Sequence, residues 1–142
     1  MTPNERTCCA GTARWLSASA SAVGSVGLLA AGSAVLLLVM RQPLPELASA
    51  ALLLLLVERV YVLRLKFDAG LFADLAHGEC NLPALDQALQ VLRLRSPGAV
   101  PRPLSDRIKG ARRLALRHGL VATLQFAAVA TQALLLGWGW TR

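Results

Sequence analysis

Charge is scarce in this chain, and it is missing where a water-facing protein needs it. Only 16% of the residues are Asp, Glu, Lys or Arg, against 55% hydrophobic ones, and the hydrophobic residues come in blocks rather than at periodic positions. No charged residue lies between Arg14 and Arg41, or between Arg117 and Arg142. The three cysteines, Cys8, Cys9 and Cys80, are an odd number and offer no disulfide framework. Gly98 and Gly110 stand alone, with no strand–loop–helix context for a phosphate loop. Internal repeats are absent, as is any inverted pair of broken apolar segments of the kind that builds a transporter from two halves. Only one acid, Glu58, interrupts the long apolar runs, fewer ionisable groups than an intramembrane enzyme uses, so no catalytic residue is assigned and an enzyme is not expected.

What is present is hydrocarbon long enough to cross a bilayer. An apolar helix of ~18 or more residues spans a core of ~30 Å. Residues 15–40 and 119–141 meet that length, and residues 47–63 meet it apart from Glu58 and Arg59. The stretch 47–68 organises the rest, because it begins as pure hydrocarbon, turns ionic at Glu58-Arg59, and continues through Arg64 and Lys66 into the one long polar segment. The expected fold is all-α: a polytopic integral membrane protein with three transmembrane helices and a cytoplasmic helical insert. Its parts are a mobile polar tail (1–15), a span (16–40), an external turn with Pro43 and Pro45 (41–46), a second span (47–65), the insert (66–118), a third span (119–140) and an external end (141–142). The first run is much longer than the ~7–15 residues of a signal-peptide core, and the small triplet Ala48-Ser49-Ala50 leads at once into another apolar run, so no cleavage is expected.

The net charge of +7 carries orientation. Arg6 and Arg14 precede the first span, and eleven of the 15 basic residues lie between Arg59 and Arg117. Lys and Arg gather on the cytoplasmic side, which places the N-terminus and the insert inside and the C-terminus outside. Frequent Ala, Leu and Arg suggest a bacterial inner membrane, and the cysteines then sit where thiols stay reduced. The adjacent Cys8 and Cys9 lack a lipobox and are not assigned a lipid. Arg107, Lys109, Arg112, Arg113 and Arg117 form a basic helix that suits anionic lipid headgroups. It lacks interleaved aromatics and any DNA-binding motif, so nucleic acid is not expected as a partner.

Within the spans, small and polar residues carry the information. Ser17, Ser21 and Ser25 recur every four residues beside Ala20 and Gly24, and Gly27 precedes Ala31. Such a face allows close helix approach, to another span or to a second copy of the chain. Glu58 lies six residues inside Arg64, roughly 9 Å deep, where a carboxylate needs a partner or a proton. Its i+3 and i+4 neighbours are Tyr61 and Val62, neither a cation. The expected partner is therefore Gln125, at a similar depth in the third span, or a basic group such as Arg117. Arg59 is expected to snorkel to the headgroups. The bland alternative is a span that ends early, leaving Glu58 and Arg59 in the headgroup zone. Trp15, Trp138 and Trp140 suit interfacial anchors.

In the insert, Phe67, Leu71, Phe72 and Leu75 make an apolar stripe on a helix expected to end near Gly78. Asn81 is the expected N-cap of a helix through Leu82, Leu85, Leu89 and Leu92, with Pro83 in its first turn. A break follows at 96–103, and Ser105 or Asp106 opens the basic helix, which runs on into the third span. Asp74, His77, Glu79 and Cys80 are metal-ligand types, but no second cluster completes a site. Cys80 with His77 lacks an orienting third group. Neither metal nor cofactor is assigned. The expected function is a small accessory or scaffold protein that binds another membrane or cytosolic protein through the Phe67–Leu75 stripe or the small-residue face. The alternative is a homo-oligomeric pore or proton-linked transporter using Glu58.

Overall fold

The computed structural model describes residues 1–39, 45–93, 96, 100 and 102–140, and of residues 137–140 the backbone only. These contain four helices and no strand: α1 (Pro3–Val39), α2 (Pro45–His77), α3 (Leu82–Val91) and α4 (Leu104–Trp140). The 41–44 part of the external turn, Pro97–Ala99 and Pro101 of the expected break, and the Trp138 and Trp140 side chains lie outside what is described.

α1 and α4 each have 37 residues, about 55 Å of helix at 1.5 Å per residue. Both are far longer than a ~30 Å hydrocarbon core. Each therefore continues from an apolar half into an amphipathic half without a break at the expected span boundaries. The segment read as a mobile tail is in fact the start of α1. Thr2-Pro3-Asn4-Glu5 is a capping box: the Thr2 N–H donates to Glu5 Oε2 at 2.7 Å and the Glu5 N–H donates to Thr2 Oγ1 at 3.3 Å. Pro3 takes the first helical position, where its missing N–H costs nothing. The Thr2 N–H holds the exposed Glu5 carboxyl below its ordinary value.

α2 runs across residue 66 to His77 and closes with Gly78 at φ +78, where the Glu79 N–H returns to the Asp74 carbonyl at 3.0 Å. That is the six-to-one bond of a helix end that only glycine forms without strain. Asn81 caps α3 as its side chain predicts, accepting from the Ala84 N–H at 2.9 Å, with Pro83 in the first turn. α4 starts at Leu104, ahead of the expected Ser105 or Asp106, and passes Gly110 and Gly119 unbroken.

Three long helices pack mutually, and most of their buried positions recur at intervals of three, four or seven. On α4 they are Ala111, His118, Ala122, Gln125, Val129 and Gln132; on α1, Cys9, Ala13, Leu16, Ala20, Gly24 and Gly27. A seven-residue stripe keeps facing its neighbours only if the helices coil gently in a left-handed sense, the geometry of helical bundles. Small residues at these positions let α1 approach closely. Two apolar cores result. One joins Cys9, Leu16, Leu65, Phe72, Leu75 and Ala111 with Leu85 of α3. The other, near the opposite end, is built from Ala30, Ala34, Leu37, Ala48, Ala51 and Val129.

Much of the surface is apolar. Leu28, Leu29 and Leu36 on α1, Leu53, Leu56, Val60 and Leu63 on α2, and Leu120, Leu124 and Leu134 on α4 are all more than half exposed. Two helices, α1 and the Leu104–Leu136 part of α4, are long and apolar enough to cross a membrane. α2 does not pass on composition, because every 18-residue window of Pro45–His77 holds at least three charged residues.

Candidate functional site

Between the two apolar cores lies a polar layer, made possible by two glycines. Gly24 and Gly27 present bare backbone on the buried face of α1, so their carbonyl oxygens are reachable and the space beside them is open to long side chains from α2 and α4. Arg59 Nη2 donates to the Gly24 carbonyl at 2.7 Å, and Gln125 Nε2 donates to the Gly27 carbonyl at 3.0 Å. The Glu58 carboxylate fills the room a side chain at Gly27 would take: a Cβ there would collide with Glu58 Cδ and both carboxylate oxygens.

Glu58 is fully buried. Its Oε2 accepts from Arg59 Nη2 at 3.3 Å, and its Oε1 stands 3.4 Å from His118 Nε2. His118 is itself 1% exposed, and its ring stacks against Tyr61 with centroids 6.4 Å apart and planes at 24°. That spacing is within the range of favourable aromatic pairs. Glu58 Oε1, both His118 ring nitrogens and Gln125 Oε1 are buried without a hydrogen-bond partner. An unsatisfied buried polar atom costs on the order of 1–3 kcal/mol. This layer is therefore a costly feature that packing alone does not require.

Across the helix interface the group nearest Glu58 Oε1 is His118, at 3.4 Å, and not the expected Gln125 or Arg117. Gln125 is in the same layer and is spent on the Gly27 carbonyl. Arg117 is exposed, because it sits one position off the buried stripe. Arg59 does not simply snorkel outward: its guanidinium turns in to Gly24 and Glu58 while the side chain stays about one-third exposed.

The apolar stripe assigned to a partner is largely internal. Phe72 and Leu75 are buried in the lower core and Leu71 packs against it, leaving Phe67 exposed. Phe72 and Leu75 lie on the α2 positions that continue the buried seven-residue stripe, so the chain uses them for itself. Of the basic residues assigned to lipid, Arg112, Arg113 and Arg117 are exposed, and exposed Lys109 meets Asp106 at 3.5 Å. Arg107 is occupied differently: it pairs with Asp86 of α3, and its Nε donates to the Arg102 carbonyl at 3.2 Å. That contact ties α3 to the start of α4. Among the described residues no three His, Cys, Asp or Glu side chains gather around one point that an ion could occupy.

On α1, Ser17, Ser21 and Ser25 are exposed, while Ala20, Gly24, Gly27 and Ala31 face the bundle. The small residues thus divide into an inner face used within the chain and an outer serine face. Comparison with known protein families, curated proteins and solved structures gives no match for this chain.

Proposed function

We propose that the chain is a three-span protein of a bacterial inner membrane, with the Pro3 end of α1 and the α3 region cytoplasmic, acting as an accessory or scaffold subunit for another membrane protein. α2 fails as a span on composition because of Glu58, Arg59 and flanking charges, yet Glu58 faces the bundle, and Leu53, Leu56, Val60 and Leu63 face outward beside it. A lipid environment is the cheapest one for that surface, since contiguous apolar patches of this extent are rare on soluble monomers. Exposed hydroxyls support the same reading. Ser25, Ser33, Ser49 and Thr123 donate to the carbonyl four residues back, satisfying themselves on their own helix as a lipid-facing hydroxyl must.

The observation that carries the subunit reading is the outer serine face of α1. With Phe72 and Leu75 of the insert's apolar stripe taken up by the core that contains Cys9 and Leu16, Ser17, Ser21 and Ser25 form a surface of small residues that another helix can approach closely. Gentle detergent extraction of the full chain, followed by identification of stoichiometric co-purifying proteins, tests it. The expected result is a discrete partner that is lost when Ser17 and Ser21 are both replaced by Leu, with the protein still inserted. Retention of the partner by that variant would remove α1 from the interface. Recovery of copies of the chain alone, as a discrete oligomer, favours the second reading, a proton-linked homo-oligomer using Glu58, to which the buried His118 pair lends its support.

A further inference from the structure

We infer that Glu58 and His118 form a single proton-binding site, in which one exchangeable proton is held between Glu58 Oε1 and His118 Nε2. The two atoms are 3.4 Å apart, both side chains are at least 99% buried, and neither atom has a hydrogen-bond partner. A carboxylate and an imidazole in that relation satisfy each other only when a hydrogen lies between them, either the neutral ring's own Nε2–H or the proton the pair takes up. With it, one is a donor and the other an acceptor whichever atom carries it. The transfer makes and breaks only O–H and N–H bonds, and the proton itself comes from water.

The charge inventory of the layer explains why the site binds one proton and not two. α1 contributes no ionisable group here, only the Gly24 and Gly27 carbonyls, which take Arg59 and Gln125. α2 contributes Glu58, Arg59 and Tyr61, and α4 contributes His118, while neighbouring Arg117 is exposed and directed away from the layer. Arg59 and ionised Glu58 cancel, so the layer with neutral His118 has no net charge. One added proton makes the Glu58–His118 pair neutral and leaves the layer with the single charge of Arg59, and a second would leave the Arg59 guanidinium and an imidazolium buried with no anion between them. Arg59 and Tyr61, which adjoin the pair, are both partly exposed.

The inference uses the three-span reading only to call the site intramembrane. It requires neither a partner nor transport. The test is nuclear magnetic resonance of the full chain in lipid bilayers, with labelled histidine and glutamate side chains. The chain has two histidines, and exposed His77 serves as the internal reference. His118 and the Glu58 carboxyl are expected to respond at one common midpoint. Glu58→Gln is expected to change the proton affinity of His118 by about tenfold or more, the size of effect that defines an interacting pair, and to leave His77 unchanged. An unaltered His118 titration in that variant overturns the inference. If the variant does not fold, separate midpoints for the Glu58 and His118 signals in the unsubstituted protein overturn it equally. Absence of proton flux across the same bilayers would remove the transporter reading alone, and failure to find a co-purifying protein would remove the subunit reading alone.

Discussion

At the scale of single residues, the most informative one has no side chain. Gly27 is where α1 yields room to the Glu58 carboxylate and gives up its carbonyl to Gln125. Glycine in a helix costs about 0.5–1 kcal/mol relative to alanine, so a helical glycine away from any close contact is improved by a methyl group. Gly70 is such a position, exposed with open space around it. Gly70→Ala is expected to raise the thermal midpoint of the detergent-solubilised protein. Gly27→Ala carries the same propensity gain but drives a methyl into a carboxylate pinned by Arg59 and His118. The crowding, on the order of 1–3 kcal/mol, exceeds the gain, and the midpoint should fall. A rise for both substitutions would mean that Glu58 does not rest against α1. Glu58 is legible as an acid within an apolar run and Gly27 as part of a small-residue face, but the meeting of Glu58 with Gly27 and His118 is not. His118 stands just before the apolar run 119–141, yet His118, Gln125 and Gln132 recur at seven-residue intervals on α4 and are all buried. That spacing was the available signal.

At the scale of elements, the ends of α2 and α3 were legible because their chemistry is local: Gly78 supplies a left-handed residue, and Asn81 with Pro83 supplies a cap and a first turn. The continuity of α1 was not read, although the Thr2…Glu5 box is equally local, since polar composition near a terminus suggests disorder. Cys8 and Cys9 report on that difference. In a mobile tail, adjacent thiols react alike. On the helix, Cys8 is exposed, whereas Cys9 falls on the buried stripe and burial pushes its thiol above the ordinary value, so fewer molecules carry the reactive thiolate. Maleimide labelling of the folded protein at neutral pH, read by mass spectrometry of the peptide containing both, should modify Cys8 at least about tenfold faster than Cys9. Equal rates would mean that α1 does not begin at Pro3. The Phe67–Leu75 stripe shows a different limit. Helical periodicity located the apolar face correctly, but a period says that a face is covered and not by what. Here Leu16 of α1, Leu85 of α3 and Ala111 of α4 belong to the cluster that covers Phe72 and Leu75.

At the scale of the whole molecule, two apolar cores enclose a buried layer of acid, imidazole and amides, while many leucines lie on the surface. The all-helical class and two long apolar helices follow from block composition, which needs no tertiary information. The standing of α2 depends on which way Glu58 points, and that is a tertiary fact. Helix α2 returns antiparallel along α1, so the start of α1 and the end of α2 meet. Buried Cys9 lies in the lower core, and Cys80 packs against that same core. If α1 crosses the bilayer, α2 must cross it back, and Cys8 and Cys80 emerge on one face. Single-cysteine variants retaining only Cys8 or only Cys80, probed with a membrane-impermeant maleimide, separate the cases. Both are expected to label in inverted inner-membrane vesicles and to be protected in right-side-out ones, since the basic residues that set orientation lie at this end. Labelling from opposite faces would mean that α2 ends within the bilayer near Glu58. The polar layer would then have to be completed by helices of other chains, because Gly24 and Gly27 of α1 could no longer meet Arg59 and Glu58 of the same molecule.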